Sequence, residues 1–242
     1  MTRGAPDRGP VRRRIRPWLR ALTLRTLALF GAAIVASIGF AIVAAEMRAG
    51  ALDRLDRAVE LAVHRLDARP PDLAMEAAAG LGANVVLLPV VAAVTALAIR
   101  MRRRAVAIIL VIDAIVVIAA YSALKVMFSR ERPRLFDKIA LPTGYSFPSG
   151  HAMSAVGIYG VIAAALIALY PRARRPVIAT AIALIAMIGL SRIYLGVHWP
   201  SDVIGGFLAG VPPLVVSVHL IHHPGLRRSH GGPCPPPHRQ SR

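Results

Sequence analysis

The 242-residue sequence predicts an all-α, polytopic membrane protein, a six-transmembrane-helix bundle carrying an extracytoplasmic interfacial helix. Three observations predict it. The chain is 56% hydrophobic, with a mean hydropathy of +0.57. Its apolar residues gather into runs of about 20, the length needed to cross a bilayer core. Its arginines fall in short clusters between those runs. In hydrocarbon each backbone group must bond within its own segment, so such runs are helices. The alternating apolar/polar pattern of a membrane β-barrel is absent from the sequence.

The N-terminal stretch is basic and turn-rich, with Arg12, Arg13, Arg14, Arg16 and Arg20. Residues 1–25 are expected to form a cytoplasmic arm. The first span, Thr26–Ala45, is uncharged throughout. It is longer than the apolar region of about 7–15 residues in a secretory signal peptide, which reads as a retained span. The outer loop that follows, 46–76, is patterned. Leu52, Leu55, Val59, Val63 and Leu66 recur at helical spacing, while Asp53, Arg54, Asp56, Arg57, Glu60 and Arg65 take the other face. That pattern suits a helix lying in the membrane interface, as a lid over a lipid entrance or as a solvated connector.

The second span, Ala77–Ile99, is interrupted by Gly82, Asn84 and Pro89, of which Asn84 and Pro89 read as packing or kink features. The third, Ala105–Leu124, holds Asp113, expected to bond a neighbouring helix or to stay protonated. The fourth is Ala152–Tyr170. The fifth, Val177–Leu195, has Arg192 near its end as its one charge, and the sixth is Val203–Ile221. The membrane domain therefore covers 26–221. Residues 222–242, rich in Pro, Gly and Arg, are expected to be a disordered cytoplasmic tail.

Arginine counting orients the bundle. The N-terminal arm, the turn holding Arg100, Arg102, Arg103 and Arg104, the turn holding Arg172, Arg174 and Arg175, and the tail all belong in the cytoplasm by the positive-inside rule. The expectation is a multi-pass protein of the cell membrane with both termini cytoplasmic. The formal charge of +18 does not indicate nucleic acid, because it is broken into these topology signals and aromatics make up only 5%. Cys234 stands alone, so no intramolecular disulfide can form. The histidines His219, His222, His223, His230 and His238 are irregularly spaced and lack a carboxylate companion, so no metal site and no cofactor is expected.

Three polar clusters then fall on the outer side. Ser191-Arg192 precedes His198 and Asp202. A four-residue separation on a helix-like turn lets Asp202 fix the tautomer of His198 and leave an oriented nucleophile; the same residues also read as an interfacial His beside a helix-capping Asp. Pro148-Ser149-Gly150-His151 opens the fourth span. Ser149 can cap it, Gly150 allows close approach to an anion at the positive helix end, and His151 can pass a proton or simply occupy a capping turn. Lys125 and Arg132-Pro133 follow the third span, as phosphate ligands or as basic residues snorkelling to headgroups. Arg130 and Arg134 read as parts of a generally basic loop.

Together, Lys125-x6-Arg132-Pro133, Pro148-Ser149-Gly150-His151 and Ser191-Arg192-x5-His198-x3-Asp202 resemble the three-part signature of the type 2 phosphatidic acid phosphatase superfamily. The resemblance implies metal-independent hydrolysis of a lipid phosphate or diphosphate monoester, such as phosphatidic acid, phosphatidylglycerol phosphate or a polyprenyl diphosphate. It implies that His198 attacks phosphorus to give a phosphohistidine, oriented by Asp202, and that His151 protonates the leaving group and later activates water. It assigns Lys125, Arg132, Ser149, Gly150 and Arg192 to phosphate binding. The implied partners are a membrane lipid phosphate and the bilayer. Two other readings stand beside it: phosphoryl or headgroup transfer on the same scaffold, and a non-catalytic lipid-binding or transport protein. The related haloperoxidases are soluble, which sets them apart from a six-span chain.

Overall fold

The computed structural model describes residues 17–65, 69–135 and 143–223, with side chains described from Leu24 and, after the second gap, from Asp72. The start of the expected arm (1–16), Leu66 and nearly all of the expected tail (224–242) lie outside the described residues. Every regular element described is helical.

α1 spans Pro17–Arg48 and therefore begins inside the segment expected to be an arm. Proline at the first helical position and the run of Leu, Ala and Arg that follows favour helix well before the apolar stretch starts. α2 is Asp53–His64 and α3 is Arg69–Leu81, so helix also occupies the end of the expected 46–76 loop. α4, Asn84–Arg100, follows after a break at Gly82-Ala83. The two halves are bent by 50° and together make one candidate crossing.

α5 is Arg104–Phe128. α6, Gly150–Ser154, runs through a π-helical stretch, Ala155–Tyr159, into α7, Gly160–Leu169. α8 is Arg174–Tyr194 and α9 is Pro200–His222. Among the described residues, five helical rods are long and apolar enough to cross a membrane, and the bent α3–α4 pair brings the number to six. The bundle is all-α and polytopic.

The α6–α7 rod is the centre of the core. Ala155, Ile158, Val161 and Ala165 on it are fully buried, packed with Leu87, Leu110, Val117 and Ile188 from α4, α5 and α8. α9 lies close against it through small residues. A Cβ at Gly206 would stand 2.6 Å from the Ser149 carbonyl oxygen, and one at Gly210 would stand 2.8 Å from that of Met153. Bare backbone there lets two apolar helices touch where lipid supplies no hydrophobic drive for association. Asp113 on α5 accepts a 2.6 Å hydrogen bond from Ser217 on α9, tying the two helices in the interior.

Helix direction sets the two ends of the bundle. The described parts of the 129–149 connection (129–135 and 143–149) and the 195–199 connection lie at one end, with α2 beside them; the arginine-bearing turns after α4 and α7 lie at the opposite end. Phe147 anchors the first of these connections. It is fully buried, stacked on Phe40 of α1 at 5.7 Å and set edge-on to Phe128 of α5 at 4.9 Å.

α2 departs from the expected polarity. Its Asp56 and Glu60 are buried, while Leu55 and Leu61 are exposed. Two residues of the polar face thus turn inward, Asp56 onto Arg130 of the 129–135 segment and Ser201 of α9, while Asp53, Arg54, Arg57 and Arg65 stay exposed. An amphipathic pattern fixes two faces but not which one meets the protein, and here the inward face finds a guanidinium.

Candidate active site

His198 sits in the short turn between α8 and α9 and is almost wholly buried. Its ring is held on both nitrogens. Nδ1 lies 3.4 Å from Asp202 Oδ2, and Nε2 lies 3.1 Å from Arg132 Nη1. An arginine can only donate, so this geometry requires a free lone pair on Nε2 and puts the ring proton on Nδ1, toward the carboxylate. Burial, followed by the positive charges of Arg132, Arg192 and Lys125, holds the imidazole well below its ordinary pKa, against an opposing backbone hydrogen bond at Ser146. His198 is a neutral imidazole with its lone pair directed at the cations.

Arg132 reaches into the same place from the 129–135 segment. Its Nη1 donates to the Val197 carbonyl at 2.7 Å, its Nε to Gly144 at 3.0 Å and its Nη2 to Tyr145 at 3.3 Å. Burial lowers its pKa, with Asp202 opposing. Lys125, in the last turn of α5, donates to the Tyr145 carbonyl at 3.0 Å. Arg192, in the last turn of α8, is buried, and its Nε has no partner among the described residues.

The Pro148–His151 segment arrives from the other side. Ser149 caps α6, its Oγ accepting from Ala152 N at a long 3.5 Å, and its own N–H donates to the Asp202 carbonyl at 2.9 Å. That backbone bond joins the second cluster directly to the third. Gly150 lies against the Tyr121 ring, where a Cβ would stand 3.2 Å from a ring carbon. His151 is in electrostatic reach of Arg192, His198, Lys125 and Arg132. The structure thus gathers the eight residues Lys125, Arg132, Ser149, Gly150, His151, Arg192, His198 and Asp202 around one end of the bundle.

Several participants were not singled out by their sequence context. Arg130 turns away from the cation group and bridges two carboxylates, Asp202 Oδ1 at 2.7 Å and Asp56 Oδ2 at 2.8 Å. Burial works to lower its pKa, but Asp202 and Asp56 outweigh that and hold it above its ordinary value. Asp56 also accepts from Ser201, on its backbone N at 2.9 Å and on its hydroxyl. Trp199 N donates to Asp202 Oδ2 at 2.9 Å, a helix-start bond that fixes the carboxylate's rotamer. No local signal sets Arg130 apart from Arg132 in the same basic loop, because its carboxylate partners lie 72 and 74 residues away.

Such a site can hold a tetrahedral anion between cations and a helix N-terminus, with a neutral imidazole facing it. The model of the PAP2 superfamily matches residues 104–223, the stretch from α5 to α9 that holds all eight of those residues. The chain belongs to the PAP2 superfamily. A solved PAP2 structure, the transmembrane phosphatidylglycerolphosphate phosphatase of Bacillus subtilis, superposes with a TM-score of 0.73 at 28% identity, covering 76% of this chain and 93% of that one. Phosphatidylglycerophosphatase B of Bacillus subtilis is 40% identical over 91 residues, 36% of this chain and 44% of that protein. An undecaprenyl-diphosphatase of Sulfolobus acidocaldarius is 32% identical over 134 residues, 53% of this chain and 60% of that protein. The chain thus matches less than two thirds of the length of either of these two PAP2 relatives.

Proposed function

We propose that this protein is a membrane phosphatase that hydrolyses a lipid phosphate or diphosphate without a metal ion, through a phosphohistidine on His198. The observation that carries the reading is the His198 ring, neutral and buried, with Asp202 on Nδ1 and Arg132 on Nε2. A phosphate oxygen between Arg132, Arg192 and Lys125 would take up donors now spent on loop carbonyls, and would satisfy the unpartnered Arg192 Nε. Phosphoryl transfer needs mainly in-line positioning and relief of charge on the equatorial oxygens, which three cations and the start of α6 supply.

In the first step the Nε2 lone pair forms a bond to phosphorus while the bond from phosphorus to the lipid oxygen breaks. His151 gives its proton to that oxygen, and Asp202 balances the positive ring. In the second step His151 takes a proton from water, the water oxygen bonds to phosphorus, and the P–N bond breaks to restore His198. Inorganic phosphate leaves. The two named relatives act, by their names, on a glycerophospholipid monophosphate and a polyprenyl diphosphate. Both lipids present a phosphate on a long apolar tail, and that is the substrate class assigned here.

The arginine-bearing turns at the far end of the bundle support placing that end in the cytoplasm, which puts the site at the extracytoplasmic edge of the membrane. The test is phosphate release by purified protein in EDTA from phosphatidic acid, phosphatidylglycerol phosphate and undecaprenyl diphosphate. His198→Ala is expected to abolish it. Lipid binding without release by the wild-type protein would favour a non-catalytic carrier, and near wild-type turnover in His198→Ala would remove His198 as nucleophile.

A further inference from the structure

The carboxylate that faces His198 has a stronger partner than the histidine. Asp202 Oδ2 is 3.4 Å from Nδ1, a weak contact, whereas Oδ1 receives a 2.7 Å bond from Arg130. Arg130 is itself held from behind. Its other terminal nitrogen is 2.8 Å from Asp56 Oδ2. Asp56 is buried on α2, far from the three clusters in sequence, and takes two further bonds from Ser201, the residue before Asp202. Asp56 therefore grips Asp202 twice, once through the guanidinium and once through the adjoining residue. The exposed Asp53 is 3.7 Å from the same guanidinium and adds little.

We propose that Asp56 of α2 is a positioning residue for the phosphatase reaction, acting through Arg130 to aim the Asp202 carboxylate at His198. The inference rests on the phosphatase reading above. Its physical content is a division of labour. A guanidinium is a planar fork with fixed donor directions, so a carboxylate on each prong sets the angle between them. With Asp56 pinned by Ser201, the fork cannot rotate without breaking one prong. Asp202 Oδ1 is thereby fixed, and Oδ2 is left facing the Trp199 backbone N–H and the imidazole. The Ser201 hydroxyl also accepts from Arg130 Nη1 at 2.7 Å, but it is itself anchored on Asp56, so without Asp56 both holds loosen and the fork gains freedom to draw Asp202 away from Nδ1. Arg130 also stacks 5.6 Å from the Trp199 ring, which limits that swing without setting its direction.

This makes α2 part of the catalytic apparatus instead of a lid or connector. It also explains why a helix with two outward leucines presents an acidic face to the protein.

The experiment measures kcat and KM for phosphatidic acid in mixed micelles with full-length wild type, Asp56→Asn, Arg130→Lys, Arg130→Gln and the Asp56→Asn/Arg130→Gln double variant. Thermal unfolding of each is followed in parallel. Asp56→Asn and Arg130→Gln are each expected to lower kcat roughly ten- to a hundredfold, the range for partners that orient a functional side chain, with KM within about twofold. The double variant is expected to be no slower than Arg130→Gln alone, because both act through one element. Arg130→Lys keeps the charge, and so the fold, but cannot bridge two carboxylates in a plane; it is expected to lose kcat with an unfolding temperature near wild type. Wild-type kcat in Asp56→Asn or Arg130→Lys overturns the proposal. So do losses that multiply in the double variant, or losses in kcat that only mirror the unfolding temperature. If Asp56→Asn and Arg130→Lys both fail to fold, the network serves stability and the proposal falls. An inactive wild type on every lipid phosphate in the panel refutes the phosphatase reading instead.

Discussion

Glu60 offers a stability prediction whose size follows from its surroundings. It lies one turn beyond Asp56 on α2, only 1% exposed, and neither carboxylate oxygen has a partner among the described residues. Burial first, then the charges of Asp56 and Asp202, push its pKa up to about 7, with Arg57 opposing. Its ordinary value is 4.5. Because the folded-state pKa is the higher one, the unfolded chain releases the proton first, and folding is opposed increasingly as pH rises. The cost is absent below about pH 4.5, grows up to about pH 7, and is full above. At about 1.4 kcal/mol per pH unit the shift corresponds to about 3 kcal/mol. Solvent at the rim of the bundle screens part of it, leaving roughly 1–3 kcal/mol. Glu60→Gln keeps the shape and removes the charge. Its unfolding temperature in detergent is expected to exceed wild type by several degrees at pH 8.5, and to match it within about 1 °C at pH 4.5. A gain of equal size at both pH values, or a loss at pH 8.5, would show that the ionised carboxylate is not the source of strain.

Three other outcomes are expected. The acid limb of kcat/KM, which reports the free enzyme, should lie below pH 6.5 because His198 is held neutral, and Arg132→Gln should move it upward along with its loss of affinity; a limb above pH 7 in wild type would contradict the charge assignment. Gly206→Ala would place a methyl 2.6 Å from the Ser149 carbonyl, so it should cost about 1–3 kcal/mol in a denaturant titration and lower turnover by shifting the start of α6. Gly82→Ala would place a methyl 2.8 Å from His151 Cδ2 and 2.7 Å from Ile188 Cγ2. It should lower kcat toward the roughly 10²–10⁴-fold loss expected of His151→Ala while KM changes little. Unchanged kcat in Gly82→Ala would mean that His151 does not depend on that contact.

The spans were legible because crossing a membrane is a one-dimensional demand on length and polarity. Thr26–Ala45 and Ala105–Leu124 meet it with no knowledge of their neighbours. The three clusters were legible for a related reason: alternation alone brought Lys125, His151 and His198 to one end of the bundle. Their side-chain partners were less so. Arg130 and Arg132 look alike in a basic loop, yet one bridges carboxylates and the other faces an imidazole, because Asp56 and Asp202 lie 74 and 72 residues away from Arg130. Nothing local encodes that separation. Within the polar stripe of α2 nothing marks Asp56 and Glu60 as buried and Asp53 and Arg57 as exposed, because a helical stripe has the same spacing whether water or protein covers it. The start of α1 at Pro17 was hidden by arginines, which weaken a hydropathy signal without weakening helix propensity.

The break at Gly82 joins two half-crossings that meet at 50°, and it abuts the ring of His151. Tyr159 donates to the Leu81 carbonyl at 2.7 Å and Asn84 to the Tyr121 hydroxyl at 2.9 Å, so the elbow is riveted on either flank to the rods that frame His151. Any hinge-like change in the angle between α3 and α4 would press on that imidazole and on Ile188 of α8 together. A change of angle at Gly82 is thereby a change of footing for the His151 ring.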